Sequence, residues 1–116
     1  MIEGIGIDIV NLERFRVYIN QGSYFKSRLF STSELTLTEN QLAGNFAVKE
    51  AFYKASGIKF EFSECSVLRD KTGKPFIAFK KYMYDGNHKD ILVSITNNDK
   101  YAVAIVLIQS KPTFVP

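Results

Sequence analysis

The segment from Thr38 to Gly57 most constrains the fold, because it carries both a start and a stop signal for one long helix. Thr38 and Gln41 match a capping box, in which each side chain bonds the backbone N–H of the other residue. Gly57 can adopt the left-handed conformation that ends a helix. Apolar residues recur at helical spacing between these signals, so the sequence predicts one amphipathic helix with core positions at Phe46, Ala47, Ala51 and Phe52.

Strands account for most of the remaining chain. Apolar runs bounded by turn residues predict strands at residues 2–10, 65–69, 76–79, 91–96 and 101–108. The first of these is expected to be buried. Asn11 can cap a short helix that runs to about residue 20, and a second capping box at Ser31 and Glu34 predicts a helical turn. We therefore expect a single α+β domain over residues 1–116, with a mostly antiparallel sheet packed against the long helix.

Composition excludes several classes of protein. Hydrophobic residues make up 46% of the 116-residue chain, which is enough for one core and argues against disorder. Cys65 is the only cysteine, so no disulfide forms within the chain, and one Cys with one His makes a zinc site implausible. His88 lies in a polar stretch and is expected at the surface. With no apolar run long enough to span a membrane and no signal-peptide pattern, the expected location is the cytoplasm.

Asp8 is the first candidate for chemistry, because an acid within an apolar strand is costly unless something pairs with it. It could cap the helix that begins near Asn11, or it could share a hard divalent cation with a carboxylate of the long helix, for which Glu50 is the candidate. Glu50 and Lys54 are four residues apart and share a helix face, so they could equally form a solvated ion pair worth about 0.3–0.5 kcal/mol. Gly4 and Gly6 could let another backbone approach the strand.

Four basic residues follow the first strand in a stretch, residues 14–33, that contains no acid: Arg14, Arg16, Lys26 and Arg28. The net charge of the chain is +3, which weakly favours an acidic or phosphorylated partner. Such a segment could steer an acidic protein, or it could be ordinary solvated surface. A small nucleic-acid-binding domain is a third possibility, although no ordered aromatic and basic motif is present. No Ser–His–Asp or Cys–His arrangement indicates a nucleophile.

Taken together, these segments resemble the holo-[acyl-carrier-protein] synthases of the 4'-phosphopantetheinyl transferase superfamily. The resemblance covers nearly the whole chain, and the order and spacing of its pieces make it specific. The pieces are Gly-Ile-Gly-Ile-Asp at residues 4–8, Arg28-Leu29 with Ser33-Glu34, Leu-Ala-Gly-Asn-Phe-Ala-Val-Lys-Glu-Ala-Phe at 42–52, Lys54-Ala55 with Gly57, Asp70 with Gly73-Lys74-Pro75, and Val-Ser-Ile-Thr at 93–96 before Tyr101-Ala102.

The resemblance implies an enzyme that transfers the 4'-phosphopantetheine arm of coenzyme A to a serine of apo-acyl carrier protein, releasing adenosine 3',5'-bisphosphate, for fatty acid biosynthesis. The resemblance implies a magnesium ion held by Asp8 and Glu50, a phosphate contact from Lys54, and a homotrimer with sites between protomers. Because the serine proton needs an acceptor, our hypothesis is that Glu50 takes it, directly or through a metal-bound water, which makes Glu50 and Lys54 the catalytic residues.

The same resemblance assigns the residues that contact the two substrates. Arg14 and Arg28 match the positions that dock the acidic carrier protein. The coenzyme A site would be lined by Lys54, Gly57, Gly73, Lys74, Pro75, Ser94, Thr96 and Asn97.

Two positions depart from the family pattern. Asn97 stands where the family usually has histidine, and Asn45 stands where it has arginine. Asparagine can hydrogen-bond a phosphate but does not titrate near neutral pH. The segment between Glu34 and Leu42 is also shorter than usual. These departures admit an alternative, a catalytically impaired paralogue that binds coenzyme A or a carrier protein without transferring the arm.

Overall fold

The predicted α+β fold with one long helix is confirmed. The structure, a computed structural model, describes residues 1–80, 84 and 88–112, so most of the polar stretch before the fourth strand lies outside the described residues. The elements are β1 (Ile2–Asn11), α1 (Leu12–Ile19), α2 (Ser23–Leu29), α3 (Glu39–Ser56), β2 (Cys65–Arg69), β3 (Pro75–Phe79), β4 (Lys89–Asn97) and β5 (Tyr101–Ser110), with 3₁₀ turns at Thr32–Glu34 and Phe62–Glu64. Within this part of the chain, no helix combines the length and apolar character needed to cross a membrane.

Helix α3 begins and ends at the predicted residues. Thr38 Oγ1 accepts a hydrogen bond from the Gln41 backbone N–H at 3.2 Å, and Gln41 Oε1 accepts one from the Thr38 N–H at 2.9 Å. At the other end, Gly57 has a φ of 70°, a conformation that favours glycine. The buried face of α3 carries Ala43, Ala47, Val48, Ala51 and Phe52.

The two short helices differ in how well the sequence predicts them. Asn11 caps α1 as expected, since its side chain accepts a hydrogen bond from the Arg14 N–H at 3.0 Å. Helix α2 was not predicted. It follows Gly22, which has a φ of 132° and provides no side-chain cap, so the local sequence lacks a helix-start signal.

The strands form two antiparallel sheets, one of three strands in the order β1-β5-β4 and one of β2 paired with β3. In the first sheet Asp8 lies opposite Ala104, which lies opposite Ile95. Helix α3 covers one face of this sheet, where β5 contributes the buried residues Ala102, Ala104, Val106 and Ile108.

Glycine allows β1 to lie directly against α3. A Cβ atom on Gly4 would stand 2.0 Å from the Ala55 carbonyl oxygen, and one on Gly6 would stand 1.9 Å from that of Ala51. Both distances are far below van der Waals contact, so the two backbones touch because these residues have no side chain. The predicted close approach is confirmed.

The other face of the three-stranded sheet corrects one expectation. The sequence predicts a buried first strand, but Ile5, Ile7 and Ile9 are 61%, 59% and 63% exposed. Strand β1 is an edge strand, and α3 covers only the face that carries Gly4, Gly6 and Asp8. We call the uncovered side the outer sheet face, whose exposed large side chains are Ile5, Ile7, Ile9, Leu92, Tyr101 and Ile105.

Candidate active site

The contact between β1 and α3 brings three predicted site residues together. Lys54 Nζ lies 3.1 Å from Asp8 Oδ1 and donates a second hydrogen bond to the Ile7 carbonyl at 2.9 Å. The Asp8 side chain is 17% exposed and that of Lys54 is 50% exposed. The acid in β1 therefore has a partner, as its position requires. Asn11, not Asp8, caps α1. The ion pair of Lys54 is with Asp8. Neither the helix cap by Asp8 nor the simple Glu50–Lys54 pair on the helix surface therefore describes the structure.

Glu50 completes the group from the adjacent turn of α3. Partial burial raises its pKa above the usual 4.5, the nearby negative charge of Asp8 raises it further, and Lys54 lowers it. The influence of Asp8 places the two carboxylates within electrostatic reach of each other. Two carboxylates face one ammonium, so the group carries an excess of negative charge that a divalent cation would neutralise.

The donor set fits magnesium. Mg²⁺ binds through one or two carboxylates and completes its shell with waters and substrate phosphates, so it does not need a closed cage of protein ligands. Among the described residues there is no cluster of three or more His, Cys, Asp or Glu side chains. A site of two carboxylates beside open space is consistent with that preference.

Glu50 lies where three cavities meet. The first, of about 660 Å³, is also lined by Asp8 and Arg14, and it reaches the outer sheet face at Ile9 and Tyr101. The second, of about 340 Å³, lies between α2 and the Phe62–Glu64 turn, and the third, of about 580 Å³, extends towards Lys59. Arg28 lines the second cavity. Asp8, Arg14 and Arg28 therefore all lie on the connected surface around Glu50.

Aromatic side chains form much of the wall of these cavities, which the sequence did not reveal. Phe46 lines the first and second cavities, although sequence reasoning gave it a purely structural role. Phe60 and Phe62, with ring centroids 4.8 Å apart, line the second and third. Their alternation with polar residues after Gly57 is the one local signal that could have identified them.

The remaining predicted coenzyme A residues lie elsewhere in the chain. Ser94 and Thr96 are exposed and belong to the outer sheet face, whereas Asp8 faces α3, so the sheet separates them. Asn97 ends β4 and is also exposed. Gly57 ends α3 one turn beyond Lys54.

The predicted Gly73-Lys74-Pro75 segment forms the turn between β2 and β3. Gly73 has a φ of 88°, which favours glycine. Asp70 Oδ1 accepts hydrogen bonds from the Thr72 hydroxyl at 2.6 Å and from the backbone N–H groups of Thr72 and Lys74 at 2.8 and 3.0 Å. These bonds hold the pKa of Asp70 below its usual value and organise the turn.

A buried ionic group forms around Lys49, the residue before Glu50 in α3. Lys49 and Glu34 are both fully buried, and Lys49 Nζ lies 2.6 Å from Glu34 Oε1. Asn45, which stands where the family has arginine, is also fully buried and donates a hydrogen bond to Glu34 Oε2 at 2.8 Å. Among the described residues its Oδ1 atom has no hydrogen-bond partner.

Fold and site together define a class of protein, an α+β domain in which one edge strand and one long helix present two carboxylates to an open cleft, with a lysine paired to one of them. The family model described as the 4'-phosphopantetheinyl transferase superfamily matches residues 4–106, and the chain belongs to this superfamily. Membership argues against the small nucleic-acid-binding domain considered from the basic stretch.

Relatives with known names support the same family. The holo-[acyl-carrier-protein] synthase of Enterococcus faecalis is 38% identical, over 96% of this chain and 100% of its own length. The crystal structure of a holo-(acyl-carrier-protein) synthase from Bacillus anthracis in complex with CoA (3',5'-ADP) matches with a TM-score of 0.80 at 30% identity, covering 96% of this chain and 99% of its own. That of the Helicobacter pylori enzyme in complex with coenzyme A matches with a TM-score of 0.78 at 29% identity, covering 90% and 99%.

Proposed function

We propose that this chain transfers the 4'-phosphopantetheine arm of coenzyme A to a serine of apo-acyl carrier protein, releasing adenosine 3',5'-bisphosphate, in the cytoplasm and for fatty acid biosynthesis. The observation that carries the proposal is the meeting of Asp8, Glu50 and Lys54 beside connected cavities. The names of the relatives supply the substrates. All three residues that the resemblance assigns to catalysis and metal binding are present and adjacent.

Asp8 and Glu50 would hold the magnesium ion. When bound, Mg²⁺ neutralises pyrophosphate oxygens and stabilises the leaving bisphosphate. Lys54 contributes a fixed positive charge to the same region, since its Nζ is held by Asp8 and by the Ile7 carbonyl. Positioning and electrostatic stabilisation then supply most of the rate enhancement, as in other phosphoryl transfers.

The nucleophile belongs to the partner protein, which agrees with the absence of a catalytic Ser or Cys motif in this sequence. The serine oxygen forms a bond to the phosphorus that bears the pantetheine arm, and the bond from that phosphorus to the bisphosphate oxygen breaks. Glu50 takes the serine proton. Without a bound cation, partial burial and the negative charge of Asp8 raise the pKa of this carboxyl group. No proton transfer is assigned to Asn97, which does not titrate in this range.

Arg14 and Arg28 are suited to dock the carrier. Arg14 lies on α1 and lines the first cavity, and Arg28 lies on α2 and lines the second. Both cavities contain Glu50, so an acidic protein drawn to these two side chains would deliver its serine near the proposed base.

The outer sheet face supports a homotrimer with sites between protomers. An exposed apolar surface of this kind marks a protein interface. The first cavity reaches that surface at Ile9 and Tyr101. Because Ser94 and Thr96 are separated from Asp8 by the sheet of their own chain, a ligand that contacts all three would bridge two chains. A neighbouring protomer packed on the outer sheet face would supply Ser94 and Thr96 to the cavity that contains Asp8.

One experiment tests the reaction directly. The purified chain is mixed with coenzyme A, Mg²⁺ and a competent apo-carrier protein, and the carrier is weighed by mass spectrometry. We expect a gain of one phosphopantetheine arm, which is lost when the carrier serine is replaced by alanine or when Mg²⁺ is chelated. Binding of coenzyme A without any mass gain would instead support the non-catalytic alternative.

A matched pair of variants tests the role of Glu50. Glu50→Gln should lower kcat by at least about a hundredfold with the fold intact, because the proton acceptor and a metal ligand are lost. Glu61→Gln removes an acid that lines the second and third cavities and should retain activity. Substantial turnover by Glu50→Gln would exclude Glu50 as the base.

A further inference from the structure

Lys49 makes an unusual set of contacts for a residue with no assigned role. Its side chain is fully buried, and Nζ donates to the backbone carbonyl oxygens of Leu29 at 2.9 Å, Phe62 at 2.8 Å and Cys65 at 2.9 Å. The fourth contact is Glu34 Oε1 at 2.6 Å. A single ammonium group therefore joins two separate segments of backbone, the end of α2 and residues 62–65, to the middle of α3.

Glu34 extends this group. Its Oε1 atom also accepts a hydrogen bond from the Ser31 N–H at 2.9 Å, and its Oε2 atom accepts bonds from Asn45 Nδ2 at 2.8 Å and the Val67 N–H at 3.2 Å. The charged pair thus binds the segment after α2 and the start of β2 from both sides. We call Lys49 and Glu34 with these partners the closed cluster.

Two of the three carbonyl groups bound by Lys49 belong to the walls of the second cavity. Leu29 ends α2 and follows Arg28 on one wall, and Phe62 follows Glu61 on the other. Lys49 immediately precedes Glu50, and consecutive residues of a helix point about 100° apart. The same turn of α3 therefore presents Glu50 to the cavity and, through Lys49, donates hydrogen bonds to the backbone of both cavity walls.

The chemistry of the ammonium group explains why a lysine occupies this position. Buried carbonyl groups need hydrogen-bond donors, and an ammonium supplies three, whereas an apolar side chain would fill the space without donating to any of them. The Phe62 carbonyl would then keep the bond from the Cys65 N–H. A buried ion pair is often no more stabilising than apolar residues of similar volume. The contribution specific to the pair is the fixed placement of the segments that it joins.

We propose that Lys49, together with Glu34, is a positioning residue that fixes the two walls of the second cavity so that the serine-bearing segment of the carrier protein enters over Glu50. The proposal rests on the proposed function. The occupant is assigned from the cavity itself, because the docking arginine Arg28 lies on its wall and the base Glu50 lies in it. Coenzyme A should depend less on Lys49, since Asp8 and Lys54 are held by the contact of β1 with α3.

A double variant tests this role without leaving a buried charge unpaired. Lys49→Met with Glu34→Gln removes both charges and retains similar volumes. We expect the KM for the carrier protein to rise at least tenfold, while the dissociation constant for coenzyme A in the presence of Mg²⁺ changes less than twofold. Ile108→Ala, a buried position in β5 away from the cavity, serves as the control for general destabilisation and should leave both constants unchanged.

Hydrogen exchange provides a readout that does not depend on activity. In the double variant, the amides of residues 28–34 and 60–65 should lose protection selectively relative to Ile108→Ala. Equal carrier KM values in the two variants, or uniform loss of protection in the double variant, would overturn the proposal.

If the double variant does not fold, Lys49→Gln with Glu34→Gln, which keeps two N–H donors, is measured against the same control and thresholds. Failure of the wild type to transfer would refute the proposed function, and the exchange data would still decide the role of Lys49.

Discussion

Helix α3 carries two charged groups of opposite character on neighbouring residues. Lys49 belongs to the closed cluster, where it and Glu34 are fully buried and bonded to several backbone groups. Glu50 belongs to what we call the open cluster, with Asp8 and Lys54, where Lys54 is half exposed and two carboxylates share one ammonium. The first group has balanced charge, and the second has negative charge in excess.

The difference shows how a chain of this size separates structural from functional charge. In the closed cluster, each charge is matched within the protein, so the group can hold segments together but cannot bind anything else. In the open cluster, the excess charge and the adjoining cavities leave capacity for a cation and a phosphorylated ligand. Substitutions in the closed cluster should therefore mainly lower stability, and substitutions in the open cluster should mainly lower activity.

The largest effect on stability is expected from Lys49→Met alone. This change leaves Glu34 as an uncompensated buried charge, and breaking a buried pair in this way costs about 3–5 kcal/mol. Urea unfolding would measure the loss. Burial raises the pKa of the Cys65 thiol to about 11, so thiol labelling at pH 8 gives a second measure of how often this region opens. A free energy of unfolding within 1 kcal/mol of the wild type would show that Glu34 does not depend on Lys49 for charge compensation.

Lys54→Met should show the reverse pattern. The Lys54–Asp8 pair is partly exposed, so its loss should cost no more than about 1 kcal/mol of stability. Loss of a positive charge at the developing negative charge should lower kcat by roughly a hundredfold to a thousandfold. Unfolding and carrier modification are measured on the same preparation, with Lys59→Met, which lines the third cavity, as the control. A Lys54→Met enzyme with the kcat of the wild type would contradict a catalytic role for the open cluster.

Gly6→Ala tests the contact that assembles the open cluster. Its new Cβ would overlap the Ala51 carbonyl oxygen, so β1 and α3 must separate, at a cost of about 1–3 kcal/mol or more. Binding of Mg²⁺ should weaken as Asp8 moves from Glu50, and calorimetry would measure it. Gly44→Ala is the control, since its Cβ would meet only the Ile95 side chain, at 3.2 Å, and alanine favours a helix interior.

The smallest effect concerns pH. Because the pKa of Glu50 is raised in the folded state, the folded protein binds more protons than the unfolded one above pH 4.5, and stability falls as pH rises towards the folded value. Thermal unfolding of the metal-free wild type should show this decline relative to Glu50→Gln. At neutral pH, Mg²⁺ should raise the Tm of the wild type more than that of the variant. Parallel pH profiles for the two proteins would show that Glu50 does not cause the decline.

Local signals were sufficient to predict α3 and the role of Asn11. Both rest on side chains that bond backbone groups within three residues, so the sequence contains the whole interaction. Gly4 and Gly6 also indicated a close backbone contact. The proposal that Asp8 and Glu50 bind a metal required the resemblance as well, because these residues are brought together by the packing of β1 on α3.

The features that were missed depend on contacts between distant segments. Lys49 and Glu34 are separated by 15 residues, and nothing in their local sequence indicates that both are buried. Helix α2 lacks a capping residue. The apolar composition of β1 predicts a buried strand, but its alternation places isoleucine on one face and glycine or aspartate on the other.

The two glycines of β1 also limit how the open cluster can vary. Every other amino acid is larger than glycine, so any replacement of Gly4 or Gly6 can only move the strand away from α3. No substitution at these two positions can therefore bring β1 closer to α3. Mutation at these positions can widen the proposed metal site but cannot narrow it.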